Sequence, residues 1–181
     1  GFDKFSLPTN LWWNWLQVTP GDWKIQKGKL VQRETELAYN NYGASVFFGK
    51  EGWSNYTYTF EATKVQGAEG FYIPFLIEDE QNMFFWNIGG WGNTVSCLQE
   101  VENGIKTGRV PGTVKDFAVE TGKTYEIKIV VNGYNAKGYI DGELMFDKDL
   151  ETGAKSESYQ VVSTDASGDI IIKLVNVTDS A

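Results

Sequence analysis

The 181-residue chain contains no histidine. That removes Ser-His-Asp and Cys-His catalysis, His-ligated zinc and imidazole proton shuttling together. A single cysteine, Cys97, allows no internal disulfide and no paired-thiol site. A lone cysteine behaves as a small hydrophobe, so Cys97 is expected to be buried. Cysteine usage leaves the cellular compartment open. No apolar run approaches the roughly 18 residues that a membrane-spanning helix needs. Basic residues are in the minority, 16 against 24 acidic ones, for a net charge of −8. Nucleic-acid binding draws on clustered Lys and Arg, and the densest group here, Lys24, Lys27 and Lys29, reads as a solvated strand edge. Neither nucleic acid nor membrane is expected as a partner.

Helical periodicity is missing too. Alternation with period two takes its place. In NYTYTFEA, Tyr56, Tyr58, Phe60 and Ala62 share one face, and Thr57, Thr59 and Glu61 the other. In GFYIPFLIEDEQN, Phe71, Ile73, Phe75 and Ile77 alternate with Tyr72, Pro74, Leu76 and Glu78. Pro74 withholds one ladder donor, which places it at an edge or a bulge. TYEIKIVV turns Tyr125, Ile127, Ile129 and Val131 inward. Asn132-Gly133 and Asp141-Gly142 tolerate positive φ, the demand of two-residue hairpins. Gln66-Gly67-Ala68, Asn103-Gly104 and Ser167-Gly168 mark further turns. Runs recurring about every ten residues predict about 11 to 13 strands in one all-β antiparallel sandwich spanning residues 1–181.

Aromatic residues are abundant, with seven Trp, nine Tyr and eleven Phe. Trp23 and Trp53 read as core. Trp13 and Trp15 fall on one side of a strand and Trp12 on the other, so one of these rings should face solvent or a rim. The stretch FFWNIGGWGNT, from Phe84 to Thr94, holds four large rings among three glycines and two asparagines. It reads as a strand, Met83 to Ile88, running into a turn at Gly89-Gly90. Phe84, Trp86 and Ile88 then oppose Phe85 and Asn87, and only one set can face the core; the other needs a concave sheet face or a ligand. Exposed rigid rings flanked by amides suit sugars, whose C–H faces lie on an indole while amides hydrogen-bond the hydroxyls.

Paired carboxylates are the remaining hydrolytic option, and Glu78-Asp79-Glu80 is the tightest acidic cluster. On a strand, Glu78 and Glu80 would share a side, close enough for an acid and a nucleophile. The EDEQN run lacks the ExDxxE-like strand of laminarinase-type glucanases and also reads as a solvated loop or a divalent-ion contact. Structural calcium, which takes several hard oxygens, would suit Asp3 meeting Asp169 or Asp179 where the termini converge. Its ligands are not assigned by the sequence. Asn55-Tyr56-Thr57 is a glycosylation triplet. The chain opens at Gly1 rather than Met and shows no signal peptide, which reads as a mature or excised module.

The segments GDWKIQKGKLVQ, WSNYTYTFEATKVQGAEGFYIPFLIEDEQNMFFWNIGGWGNT, TGKTYEIKIVVNG and GYIDGELMFD resemble the laminin-G-like, concanavalin-A-like module attached to bacterial and plant α-L-arabinofuranosidases of glycoside hydrolase family 51. The resemblance runs from Asp22 to Asp147. Its most specific part is GAEGF followed by WNIGGWGNT. More distantly the chain is similar to carbohydrate-binding module family 66, a fructan-binding group. The resemblance implies a jelly-roll β-sandwich without catalytic residues, linked to a parent hydrolase and binding arabinan- or arabinoxylan-type polysaccharide. It also implies secretion or cell-surface display, with an intracellular setting left open. Trp86, Asn87, Trp91 and Asn93 are the expected contacts, flanked by Glu69, Tyr72 and Gln99. The competing expectation is that Trp86 and Trp91 wedge between the sheets. Other readings are a sandwich-fold enzyme using Glu78, Asp79 or Glu80, and a domain that braces a catalytic neighbour. Phe84-Phe85-Trp86 departs from the pattern, which would carry more Tyr and Trp. The tail SYQVVSTDASGDIIIKLVNVT resembles the strands that open the arabinofuranosidase's own C-terminal β-domain, so residues from about 155 onward belong either to this sandwich or partly to a neighbour.

Overall fold

The alternating runs become strands, paired so that one side of each is dry. The computed structural model describes residues 17–18, 23–33, 45–48, 53–79, 81–150, 160–164 and 170–179. In chain order its strands are β1 (Gln17–Val18), β2 (Trp23–Gln26), β3 (Lys29–Gln32), β4 (Ser45–Phe48), β5 (Asn55–Lys64), β6 (Phe71–Asp79), β7 (Asn82–Gly89), β8 (Val95–Glu102), β9 (Ile105–Arg109), β10 (Lys115–Asp116), β11 (Thr124–Asn132), β12 (Asn135–Ile140), β13 (Glu143–Asp149), β14 (Gln160–Thr164) and β15 (Ile170–Asp179). Among the described residues they form two sheets. The first runs β1-β4-β14-β6-β7-β8-β10, with β9 also on β8; the second runs β13-β12-β11-β5-β15-β3-β2. The pairings are antiparallel. The protein is an antiparallel β-sandwich.

The main core lies between the sheets. Tyr56, Tyr58 and Phe60 of β5 and Ile127 and Ile129 of β11 meet Phe71, Ile73 and Phe75 of β6 and Phe84, Trp86 and Ile88 of β7. Each such burial stabilises by about 1.5–3 kcal/mol. Asp141-Gly142 and Asn103-Gly104 turn where predicted, all four residues having positive φ. Asn132 instead ends β11 opposite Asn135, so the predicted Asn132-Gly133 loop lies one residue on, at Gly133-Tyr134, with Gly133 at positive φ. Trp53 is partly buried against the core, as expected of it.

The structure corrects the reading of β6. Leu76 adopts φ 48°, and the register with β7 shifts between Phe75 and Asp79. Leu76 therefore joins Phe75 in the main core, while Ile77 crosses to the opposite face. There it meets Met83, Phe85 and Val101 in a second buried cluster. The backbone N–H of Leu76 donates to the Tyr56 hydroxyl at 3.2 Å, which helps hold a residue in a left-handed region that usually costs about 1–3 kcal/mol. Pro74 lies two residues before this bulge and beyond the β14 pairing, which involves Phe71 and Tyr72. Its missing donor is thereby accommodated.

The strands of the tail, β14 and β15, are interior. β14 sits between β4 and β6, and β15 between β5 and β3. Trp12, Trp13, Trp15, Asp3, Glu80, Ser167, Gly168 and Asp169 lie outside the described residues. Trp23 and Asp179 are placed by their strands alone. Among the described residues no three His, Cys, Asp or Glu side chains are grouped to hold a metal ion. None of their helices is long and apolar enough to cross a membrane.

Candidate functional site

Beyond β7 the chain enters a left-handed turn, Gly90–Asn93. Gly89 leads in at φ 71°, ψ 36°, and Trp91 (52°, 55°) and Gly92 (73°, 33°) continue in the same region. Asn93 follows at φ 62°. Two glycine positions are obligatory. Gly89 needs positive φ, and a Cβ on Gly90 would sit 2.4 Å from the Asn87 amide nitrogen. Trp91 has no such licence, and strain of about 1–3 kcal/mol in a non-glycine residue is a feature of functional loops.

The surroundings clamp that conformation. The N–H of Gly92 donates to Glu69 Oε1 at 2.6 Å. Asn93 Nδ2 donates to the Val119 carbonyl at 3.0 Å, and its Oδ1 accepts from the Val119 N–H at 2.7 Å. The Thr94 hydroxyl donates to the Trp91 carbonyl at 2.9 Å. The result is an indole held out from the protein, 40% exposed. The Arg109 guanidinium lies 4.1 Å from its ring centre, a cation–π contact.

The expected site residues divide into groups. Tyr72 lies opposite Asn87 across β6 and β7, and Asn87 Nδ2 donates to Gln99 Oε1 at 3.3 Å. These three share the outward face of the first sheet. Trp91 stands at its end, on the turn, and Glu69, just before β6, accepts from the turn's Gly92 N–H. Trp86 does not join them. Its relative exposure is 0%, its indole N–H donates to the Ser96 hydroxyl at 2.8 Å, and Phe146 packs edge-on at 5.0 Å. A ring covered on both faces cannot stack on a sugar, so Trp86 is a core residue. The bidentate role expected of the asparagines is corrected for a related reason. Both amide atoms of Asn93 are occupied by Val119, and Asn87, at 3% exposure, is turned to Gln99 and Gly90. These amides build the site's frame.

The second ring set also proves buried. Phe85 packs edge-on against Tyr72 at 6.0 Å within the smaller cluster, so it demands neither an open concave face nor a ligand. Sequence reasoning missed β9. Lys106 places its ammonium 4.5 Å from the Tyr72 ring centre and 5.7 Å from that of Phe85. Gln99 Nε2 donates to the Thr107 carbonyl at 3.2 Å. The signal was the pair of cations in IKTGR, which the acidic balance made easy to discount. Beneath Arg109, Cys97 is fully buried. Burial pushes its thiol up to about 11, with the neighbouring Arg109 charge partly opposing.

The acidic cluster on β6 has a structural use. Asp79 Oδ1 accepts from the Gln81 N–H at 2.7 Å and from Asn82 Nδ2 at 3.0 Å, closing the β6–β7 turn. Glu78 is half-buried at the same strand end.

The two-sheet sandwich has the fold of known carbohydrate-binding and glucanase domains. It is similar to the carbohydrate-binding module CBM66 of Bacillus subtilis, with a TM-score of 0.66 and 16% identity over 91% of this chain and 94% of that one. It is also similar to a non-specific endo-β-1,3(4)-glucanase of family GH16, with a TM-score of 0.58 and 12% identity over 87% and 74%. Both are likenesses of fold. No protein-family profile matches the chain. In sequence it is homologous to a segment of an extracellular exo-α-L-arabinofuranosidase of Streptomyces chartreusis, 36% identical over 169 residues. That match takes in 90% of this chain and spans 19% of the enzyme's length.

Proposed function

We propose that the chain is a non-catalytic carbohydrate-binding module that holds a linked glycoside hydrolase against arabinan- or arabinoxylan-type polysaccharide outside the cell. The observation that carries this reading is the homology of nearly the whole chain to about a fifth of an extracellular arabinofuranosidase. A segment of that size, with a sandwich fold shared by a carbohydrate-binding module, fits an accessory part better than the catalytic one.

The binding face we assign is the outward surface of the first sheet at the Gly90–Asn93 turn. Trp91 supplies the stacking ring, fixed in orientation before any sugar arrives. Arg109 lies over that ring and donates to hydroxyls, and Tyr72 and Glu69 flank it. Asn87, Gln99 and Asn93 hold this arrangement through their internal hydrogen bonds. Such a shallow site binds soluble oligosaccharides weakly, at roughly micromolar to millimolar Kd. Tethering raises the enzyme's local concentration without adding chemistry.

Affinity electrophoresis through gels containing arabinan, arabinoxylan or β-glucan tests the assignment. The chain should be retarded by at least one arabinose-containing polymer, and Trp91→Ala should lose that retardation while remaining folded. Equal retardation of the variant would remove Trp91 from the site. Turnover of an aryl arabinoside abolished by Glu78→Gln would replace the binding reading with an enzymatic one. Binding to the linked hydrolase with no affinity for any polymer would favour the bracing role.

A further inference from the structure

A cleft of about 760 Å³ opens at the edge of the sandwich, between the end of β9 and the end of β13. It lies within the roughly 300–1,000 Å³ of small-molecule sites. Phe84 and Glu100 are paired across β7 and β8 and form its inner end. Val110 and Pro111 line one wall, and Lys148 and Asp149 the other. Arg109 is on its margin, so β9 separates this cleft from the Trp91 face.

Glu100 is the unusual group there. Its backbone N–H donates to the Thr107 hydroxyl at 3.1 Å, but among the described residues no hydrogen bond or ion pair engages its carboxylate. The neighbouring acids differ in this respect. Asn135 donates to Asp147 and Asp149 at 3.1 and 2.8 Å, and Lys137 pairs with Asp147 at 2.8 Å. Burial, reinforced by Glu102, pushes the Glu100 carboxyl above its ordinary value. A partly buried carboxylate without a partner is costly unless something supplies donors.

We propose that this cleft is a second saccharide-binding site, with Glu100 accepting from ligand hydroxyls and Val110 and Pro111 facing the sugar's C–H surface. The lining selects that chemistry. A purely apolar ligand would strand the carboxylate, and an anion would meet it with like charge. A neutral polyol offers donors to Glu100, acceptors to Lys148 and apolar edges to the wall. The assignment rests on the module reading given above, but it names a separate location.

Titration of ¹⁵N-labelled protein with α-1,5-linked arabinotriose, and separately with xylotriose, reads the two locations independently. With at least one sugar, the Thr107, Gly108 and Lys148 amides should shift as one set and Gly92 and Thr94 as another. Glu100→Gln should weaken binding at the first set by about tenfold or more, the loss expected of a charge-assisted hydrogen bond, and leave the second unchanged. Gly108→Leu offers an independent block. An added Cβ at Gly108 meets nothing within 4 Å, so the variant should fold and lose the first set alone. Shifts confined to Gly92 and Thr94 would overturn the cleft site and keep the Trp91 face. Shifts confined to the cleft would keep it and displace the Trp91 assignment. Unmoved cleft amides with both sugars, or unaltered cleft binding in both variants, would overturn it. Sugar hydrolysis that disappears in Glu100→Gln would overturn a purely binding role.

Discussion

At the scale of single residues, two tryptophans five positions apart do opposite work. Trp86 is sealed between the sheets and hydrogen-bonded to Ser96, so Trp86→Ala should cost about 3–5 kcal/mol in urea unfolding. Trp91 stands on the surface in a left-handed conformation. Trp91→Gly relieves a strain of about 1–3 kcal/mol but loses the Arg109 contact and gains unfolded-state freedom. Its unfolding midpoint should stay near wild type while polysaccharide retardation disappears. A large destabilisation would show that the ring is structural. Cys97 adds a chemical check. With its thiol raised to about 11 by burial, it should resist a thiol reagent at pH 8 in the native protein and react on unfolding.

At the scale of elements, bulges decide which side chains face the candidate ligand. Register between β8 and β9 pairs Val101 with Lys106, then slips so that Gln99 faces Arg109. Unbroken two-residue alternation from the Asn103-Gly104 hairpin would have set Gly108 opposite Gln99 and sent Arg109 to the other face. The slip thus brings the guanidinium over Trp91. The Leu76 bulge does the same for Ile77, moving it from the main core to the second cluster. The tail offers an element-scale test. Because β14 and β15 are interior strands of the two sheets, a chain truncated after Leu150 loses the neighbours of β4, β6, β5 and β3. It should show no cooperative thermal transition. A truncated chain that unfolds cooperatively near the wild-type midpoint would assign the tail to another domain.

At the scale of the whole molecule, the excess of acids makes stability respond to pH through the few carboxylates that folding perturbs. The carboxyl of Glu100 is raised by burial and by Glu102, so the native state holds its proton more tightly than the unfolded chain does. Its contribution is present below the unfolded value of about 4.3 and is lost as pH rises through the higher native value. Glu100→Gln, which cannot ionise, should therefore melt above wild type at pH 7, with the difference shrinking toward pH 4. A difference that does not change with pH would mean that Glu100 is not perturbed by folding.

The chain's periodicity, without any neighbour, determined the all-β class, the inward faces of β5 and β11, the hairpins at Asn103-Gly104 and Asp141-Gly142, and to within one residue the hairpin at Gly133-Tyr134. These are local consequences of alternation and of residues that tolerate positive φ. The position of Trp91 beyond two glycines that end the strand was also legible, while its exposure was decided by the fold. What tertiary structure alone decided was covering and register. Nothing local distinguishes a Trp86 sealed by Phe146, sixty residues away, from one lying against solvent. Nothing local shows that Asn93 is committed to Val119, or that bulges carry Arg109 and Ile77 across their sheets. Local sequence sets which side chains alternate, but the packing of distant strands sets which face is dry and which is left for a ligand.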